Sequence, residues 1–124
     1  MIRGIGLDLC EITRMENAMT HSRFLSRVFS PEEQEYIRSK GKTGGQTAAG
    51  LYAAKEAFVK AVGTGITTLN LCEIQVSHDE KGAPLYLLGD RQKEIMSLRG
   101  AESAFLSITH EGGMAAAMCV LEGS

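Results

Sequence analysis

Residues 2 to 9 alternate small and branched apolar side chains and end on Asp8, the pattern of a buried strand that delivers a carboxylate at its C-terminal end. Apolar positions then recur at helical spacing from about Glu11 to Phe29, which predicts one helix there. Ser30-Pro31-Glu32-Glu33 supplies a capping serine, a proline at the first helical position and a glutamate three residues after the cap, so a new helix starts at Pro31 and runs to about Ser39. GKTGGQTAAG, residues 41–50, is the only Gly-rich stretch, and it predicts a mobile loop inside one domain because apolar patterning resumes at once. It is not a phosphate-binding loop of the Walker type, since Tyr36 occupies the position where that motif needs its first glycine.

From about Ala48 to Val62 the chain is alanine-rich, with Leu51, Ala54, Phe58, Ala61 and Val62 on one face and Gly63 placed to stop the helix in a left-handed conformation. Leu71 to Ser77 and Pro84 to Leu88 flank the turn-forming HDEKGA and predict a β-hairpin. Asp90 to Arg99 has the spacing of a short amphipathic helix. Ala104 to His110 and Met114 to Leu121 predict a second hairpin around Gly112-Gly113. The order of elements gives an α+β fold, an antiparallel sheet packed on a long central helix, within a single domain spanning residues 1–124.

Composition narrows the functional classes. Thirteen Lys+Arg against 15 Asp+Glu leave a net charge of -2, which argues against a nucleic-acid-binding protein. Cys10, Cys72 and Cys119 are an odd number without metal-type spacing, each in an apolar segment, and read as reduced core thiols of a cytosolic protein. MIRGIGLDL has neither the charged flank nor the apolar length of a signal peptide or a membrane span, so neither export nor membrane insertion is expected.

A carboxylate at the end of a buried strand needs compensation, and a metal ion is one possible partner for Asp8. Glu56 and Lys60 lie four apart on the central helix, away from the Leu51/Phe58/Val62 stripe. Taken alone, that spacing equally describes a surface ion pair worth a few tenths of a kcal/mol. Joined with Asp8, it describes two hard-oxygen ligands for one Mg²⁺, with a lysine to neutralise the phosphates that the ion would hold.

Read in order, GIGLD at 4–8, Glu11 and Arg14, FSPEE at 29–33, AAKEAFVK at 53–60, GTG at 63–65, GAP at 82–84 and SITH at 107–110 resemble the holo-acyl-carrier-protein synthases, the small bacterial members of the phosphopantetheinyl transferase superfamily. The resemblance covers Ile2 to Val120. It implies transfer of the 4'-phosphopantetheine arm of coenzyme A to a serine of apo-acyl carrier protein, releasing adenosine 3',5'-bisphosphate and serving fatty acid biosynthesis. It carries the metal-ligand role to Asp8 and Glu56, and to Lys60 the place beside the transferred phosphate. The proton acceptor is Glu56 or a metal-bound water. His110 matches a histidine near the nucleotide end of coenzyme A, and Gly65 falls in a turn close to the bound coenzyme. Leu51 stands where the family commonly has arginine, and Lys42 is a candidate to supply the missing cation. His21 and His78 lack such context and read as solvated surface residues.

Arg14, Arg23 and Arg27, with Met19, Phe24 and Leu25 between them, form a basic and apolar patch on the first helix. The resemblance makes Arg14, Arg23, Phe24 and Arg27 the docking surface for an acidic carrier protein. It also implies a homotrimer with active sites at subunit interfaces. MAAAMCVLE, residues 114–122, supplies an independent motive, since one face of that strand stays apolar and uncovered in a lone chain. The competing reading is a catalytically inactive oligomeric module that binds acyl carrier protein, and the joint retention of Asp8, Glu56 and Lys60 argues against it.

Overall fold

The computed structural model describes residues 1–63 and 69–124. Its elements are β1 (Ile2–Glu11), α1 (Ile12–Ala18), α2 (Ser22–Val28), α3 (Pro31–Ser39), a single 3-10 turn (Gly41–Thr43), α4 (Gly44–Val62), a second 3-10 turn (Leu71–Glu73), β2 (Gln75–His78), β3 (Pro84–Leu87), α5 (Asp90–Leu98), β4 (Ser103–Glu111) and β5 (Met114–Glu122). β1, β5 and β4 form an antiparallel sheet in that order, and β2 and β3 form a separate two-stranded sheet. None of the helices among the described residues is long and apolar enough to cross a membrane.

α4 is the centre of the core. Ala48, Ala49, Ala53, Ala54, Ala57 and Ala61 are buried along it, with Leu51 and Phe58 as its large apolar groups. Each of the latter contributes roughly 1.5–3 kcal/mol through burial. The alanines let the sheet come close, and β1 comes closer than any side chain would permit. A Cβ on Gly6 would sit 1.8 Å from the Ala57 carbonyl oxygen, and one on Gly4 would sit 2.2 Å from that of Ala61. The GxG of β1 is therefore the contact that seats the strand against backbone, and it fixes Asp8 two residues further on.

Several expectations are corrected. Residues 44–50 are the first turns of α4, not a loop, because Gly45 and Gly50 serve contact instead of flexibility. A Cβ at Gly50 would lie 2.9 Å from Ile108 Cγ2, and one at Gly45 would lie 2.4 Å from Glu16 Cγ. The single helix expected over 11–29 is two, α1 and α2, broken between Met19 and His21. β1 is covered on one face only: Ile5, Leu7 and Leu9 are each more than half exposed. Leu71–Glu73 turns in 3-10 geometry before β2 begins at Gln75.

Other expectations stand. Ser30 Oγ accepts from the Glu33 N–H and Glu33 returns the bond to the Ser30 N–H, a complete capping box with Pro31 just inside the helix. Gly63 ends α4 with φ +101°, and Gly112-Gly113, at φ +58° and +78°, turn β4 into β5.

Glu33 does more than cap α3. Its Oε1 also accepts from Lys55 Nζ at 2.8 Å, and its Oε2 accepts from the Val76 N–H at 2.8 Å. Lys55 is 0% exposed and donates its other two protons to the carbonyls of Leu71 at 2.8 Å and Ile74 at 2.9 Å. Burial pulls the Lys55 pKa down, and the Glu33 carboxylate opposes that shift. One fully satisfied ion pair thus ties α3, α4, the 71–73 turn and β2 together.

In β5, Ala115, Ala117, Cys119 and Leu121 are buried, whereas the alternate residues Met114, Ala116, Met118 and Val120 face away from α4. The register sets Val120 beside Ile5 and Phe105, Met118 beside Leu7 and Ser107, and Ala116 beside Leu9 and Thr109. The outer face of the three-stranded sheet is consequently apolar along β1 and β5, with Phe105 beside them and the polar Ser107 and Thr109 on β4.

Candidate active site

The crossing of β1 over α4 brings together the residues on which the sequence reading converges. Asp8 and Glu56 line one pocket of about 330 Å³ with Glu11, Arg14, Met15, Phe24 and Tyr52. Lys60 reaches back across the same crossing: its Nζ lies 3.0 Å from Asp8 Oδ1 and donates to the Leu7 carbonyl at 3.0 Å. Asp8 is 15% exposed and Lys60 55%. The surface pair anticipated between Glu56 and Lys60 gives way to Lys60–Asp8, because the glycine-seated strand presents a less exposed carboxylate to the lysine. Tyr52, one helical turn before Glu56, lines the same pocket, and burial, then the Glu56 carboxylate, pushes its hydroxyl pKa up to about 12.

Two carboxylates in one concave site offer hard oxygens of the kind Mg²⁺ takes. Among the described residues no group of three or more His, Cys, Asp and Glu is placed to hold a metal. Asp8 and Glu56 therefore fit an ion that shares its coordination with waters and substrate oxygens, not one caged by protein.

His110 lies elsewhere. It is exposed near the end of β4, its Nε2 3.1 Å from Gln46 Nε2. It lines a second pocket, of about 370 Å³, with Tyr36, Lys40, Thr43, Thr47, Leu51 and His78 among others. That pocket shares no lining residue with the Asp8–Glu56 pocket. Lys42 is exposed in the 3-10 turn and lines neither pocket, while Lys40, over the Tyr36 ring at 4.8 Å, lines the second. Leu51 is buried, so the position where arginine is common contributes no cation. Gly65 lies outside the described residues. Of the expected docking residues, Arg14 on α1 and Arg23 and Arg27 on α2 are exposed, and Phe24 is half-buried against Phe29 and Tyr52, with ring centroids 6.3 and 6.4 Å away.

His21 is exposed as expected, but His78 is not a solvated residue. It stacks on Tyr36 at 4.5 Å, and burial, with Lys40 nearby, lowers its pKa. Cys10 and Cys119 are buried, whereas Cys72 is half-buried at the 71–73 turn; all three thiols are free. The sequence reading missed Tyr52 and the Lys55–Glu33 pair. The i, i+4 spacing of Tyr52 and Glu56 was a visible signal for the first, but nothing local to Lys55 distinguishes it from a surface lysine.

Residues 4–119 match the 4'-phosphopantetheinyl transferase superfamily. The chain belongs to that family. It is 44% identical over 126 residues to a holo-acyl-carrier-protein synthase of Trichlorobacter lovleyi, with 98% of each chain covered. Its fold is similar to the crystal structure of the Neisseria meningitidis holo-acyl-carrier-protein synthase, with a TM-score of 0.86 and 34% identity across 98% of this chain and 99% of that one. The Helicobacter pylori holo-acyl-carrier-protein synthase, solved in complex with coenzyme A, superimposes with a TM-score of 0.79 at 33% identity, covering 95% of this chain and 99% of that one. The expected fold, an antiparallel sheet on a long helix, is the one observed.

Proposed function

We propose that this chain is a holo-acyl-carrier-protein synthase that transfers 4'-phosphopantetheine from coenzyme A to a serine of apo-acyl carrier protein. The observation that carries the reading is the convergence of Asp8, Glu56 and Lys60 where β1 crosses α4. In the reaction the serine oxygen forms a bond to the phosphorus bearing the pantetheine arm. The P–O bond to the second phosphate breaks, adenosine 3',5'-bisphosphate leaves with the electron pair, and the serine proton passes to a base.

Such a transfer needs alignment and charge neutralisation more than covalent help from the protein. Asp8 and Glu56 would hold Mg²⁺, which when bound draws charge from the phosphate oxygens and lowers the pKa of its waters. Lys60, more than half exposed, is placed to neutralise a phosphate beside Asp8. Glu56 is the candidate base within the chain.

The exposed Arg14, Arg23 and Arg27 suit an acidic carrier protein, with Arg14 at the rim of the Asp8–Glu56 pocket. The working unit is a cytoplasmic homotrimer of single-domain chains. The outer sheet face of Ile5, Leu7, Leu9, Phe105 and Met118 supports this, since apolar surface of that extent marks an association site. The separation of the His110 pocket from the Asp8–Glu56 pocket within one chain fits a site shared across subunits, with His110 near the nucleotide end of coenzyme A. Incubating the protein with apo-acyl carrier protein, coenzyme A and Mg²⁺ and reading the carrier by mass spectrometry tests the activity. A carrier carrying one added phosphopantetheine is expected, and an unmodified carrier would exclude the function.

A further inference from the structure

We infer that Gln46 is a positioning residue for coenzyme A, holding the His110 imidazole in the tautomer that carries its proton on Nδ1. The inference rests on the reading that His110 lies near the nucleotide end of coenzyme A.

The contact is built by the seam between α4 and β4. Gly50 has no side chain, and a Cβ there would lie 2.9 Å from Ile108 Cγ2, so the strand packs directly on the helix at that point. Gln46 is one helical turn before Gly50 and shares its face of α4, while His110 is two residues after Ile108 and shares its face of β4. The next rung of the seam therefore pairs Gln46 with His110, and their Nε2 atoms lie 3.1 Å apart. Gln46 is half-buried on the helix, whereas the ring it meets is exposed near the end of the strand.

The chemistry of the two atoms fixes the proton. The Gln46 amide nitrogen only donates, so His110 Nε2 must accept, which leaves the ring proton on Nδ1. In a neutral histidine the hydrogen bond made by one nitrogen decides which nitrogen carries the proton. An exposed imidazole without this bond would exchange between tautomers, and its donor would have no fixed place. With the bond, His110 offers its Nδ1–H to a ligand.

The pocket sets what that donor can serve. Gln46 and His110 line it with Lys40, Thr47, Tyr36 and His78, and among the described residues no Asp or Glu lines it. Lys40 forms no ion pair among the described residues, and its ammonium stands over the Tyr36 ring at 4.8 Å. A cavity with a cation, donor side chains and no carboxylate suits an anionic ligand, and the nucleotide end of coenzyme A carries phosphate.

Gln46→Met keeps the length of the side chain and its helix propensity and removes the amide, so the fold is retained and a thermal melt serves as the control. The chain has 3 histidines, so labelling histidine with ¹⁵N gives a small set of ring signals, and His110→Asn identifies those of His110. Nuclear magnetic resonance at about pH 8.5, where histidine is ordinarily neutral, separates Nδ1–H from Nε2–H by the nitrogen shifts. The expected result is Nδ1–H as the main form of His110 in the wild type and a balance moved toward Nε2–H in Gln46→Met. In steady-state transfer the variant should raise KM for coenzyme A about 3- to 10-fold, the effect of one hydrogen bond, with kcat and KM for apo-carrier protein within about twofold of wild type. A merely structural role would lower the melting temperature and leave the tautomer balance as it is in the wild type. Nε2–H as the main wild-type form, or an unchanged KM for coenzyme A in Gln46→Met, would overturn the inference while leaving the function intact. Absence of transfer by the wild type would instead overturn the function on which the inference rests.

Discussion

Replacing Lys55 by Met keeps most of the buried stem and removes the ammonium, which isolates the contribution of the Glu33–Lys55 pair. Lys55 is 0% exposed and each of its three protons is used, at 2.8, 2.8 and 2.9 Å. The variant strands the Leu71 and Ile74 carbonyls and leaves a buried Glu33 with the Ser30 and Val76 N–H groups but no cation. Breaking one side of a buried pair costs about 3–5 kcal/mol. For a chain of 124 residues this lowers the melting temperature by roughly 10–25 °C. Urea unfolding at one fixed protein concentration measures the loss, so that any assembly contributes equally to both proteins. Lys55→Met combined with Glu33→Gln should recover part of it, because Gln removes the unpaired charge while keeping an acceptor for only one of the Ser30 and Val76 N–H groups. A single variant destabilised by less than about 1 kcal/mol, or a double variant less stable than the single, would refute the assignment. The same measurement separates the two lysines of KEAFVK, since Lys60→Met should unfold like the wild type.

The remaining predictions address association, docking and pH. Light scattering should give about three times the chain mass of 13.4 kDa, and Ala116→Glu, which puts a charge beside Leu9 on the open sheet face, should lower both mass and activity; a fully active monomer would contradict this. Arg23→Glu should raise KM for the carrier protein at least several-fold more than KM for coenzyme A, and wild-type transfer should weaken with salt; equal changes in both constants would remove α2 from the docking surface. Burial raises the Cys119 thiol from 9.0 to about 11, so the folded chain keeps a proton that the unfolded chain releases. That share of stability is complete below pH 9 and is lost as pH climbs toward 11, at up to about 1.4 kcal/mol per pH unit. Urea midpoints should therefore fall over that window and fall less steeply in Cys119→Ala; parallel pH profiles would show that Cys119 contributes nothing.

The parts of the site that local pattern encodes were legible in the sequence. A carboxylate after GxG on a strand and a KEAFVK helix carry their register with them, and the two meet because β1 packs on α4 through glycine. What the sequence did not disclose were choices made by tertiary packing. Gly45 and Gly50 carry the usual mark of a loop, yet they are helical because Glu16 and Ile108 occupy the space a side chain would need. Lys55 and Lys60 belong to one motif, and only the position of Glu33 on α3 decides that the first is buried. Lys60 was expected to face either Glu56 or a phosphate, and its engagement with Asp8 depends on how closely β1 lies against α4. His78 looked solvated because its partner, Tyr36, comes from a helix 42 positions away in the sequence.

The central claim is that Asp8 and Glu56 form the site of phosphopantetheine transfer, and Asp8→Asn and Glu56→Gln test it most directly. Each variant is mixed with apo-acyl carrier protein and coenzyme A at saturating Mg²⁺, the carrier mass is followed over time, and a melt confirms folding. Both should melt within a few degrees of the wild type and convert the carrier at least 100-fold more slowly, because each loses a charged ligand with little change of shape. EDTA should arrest the wild type reversibly. A folded Asp8→Asn or Glu56→Gln protein that modifies the carrier at near wild-type rate would place the transfer site elsewhere.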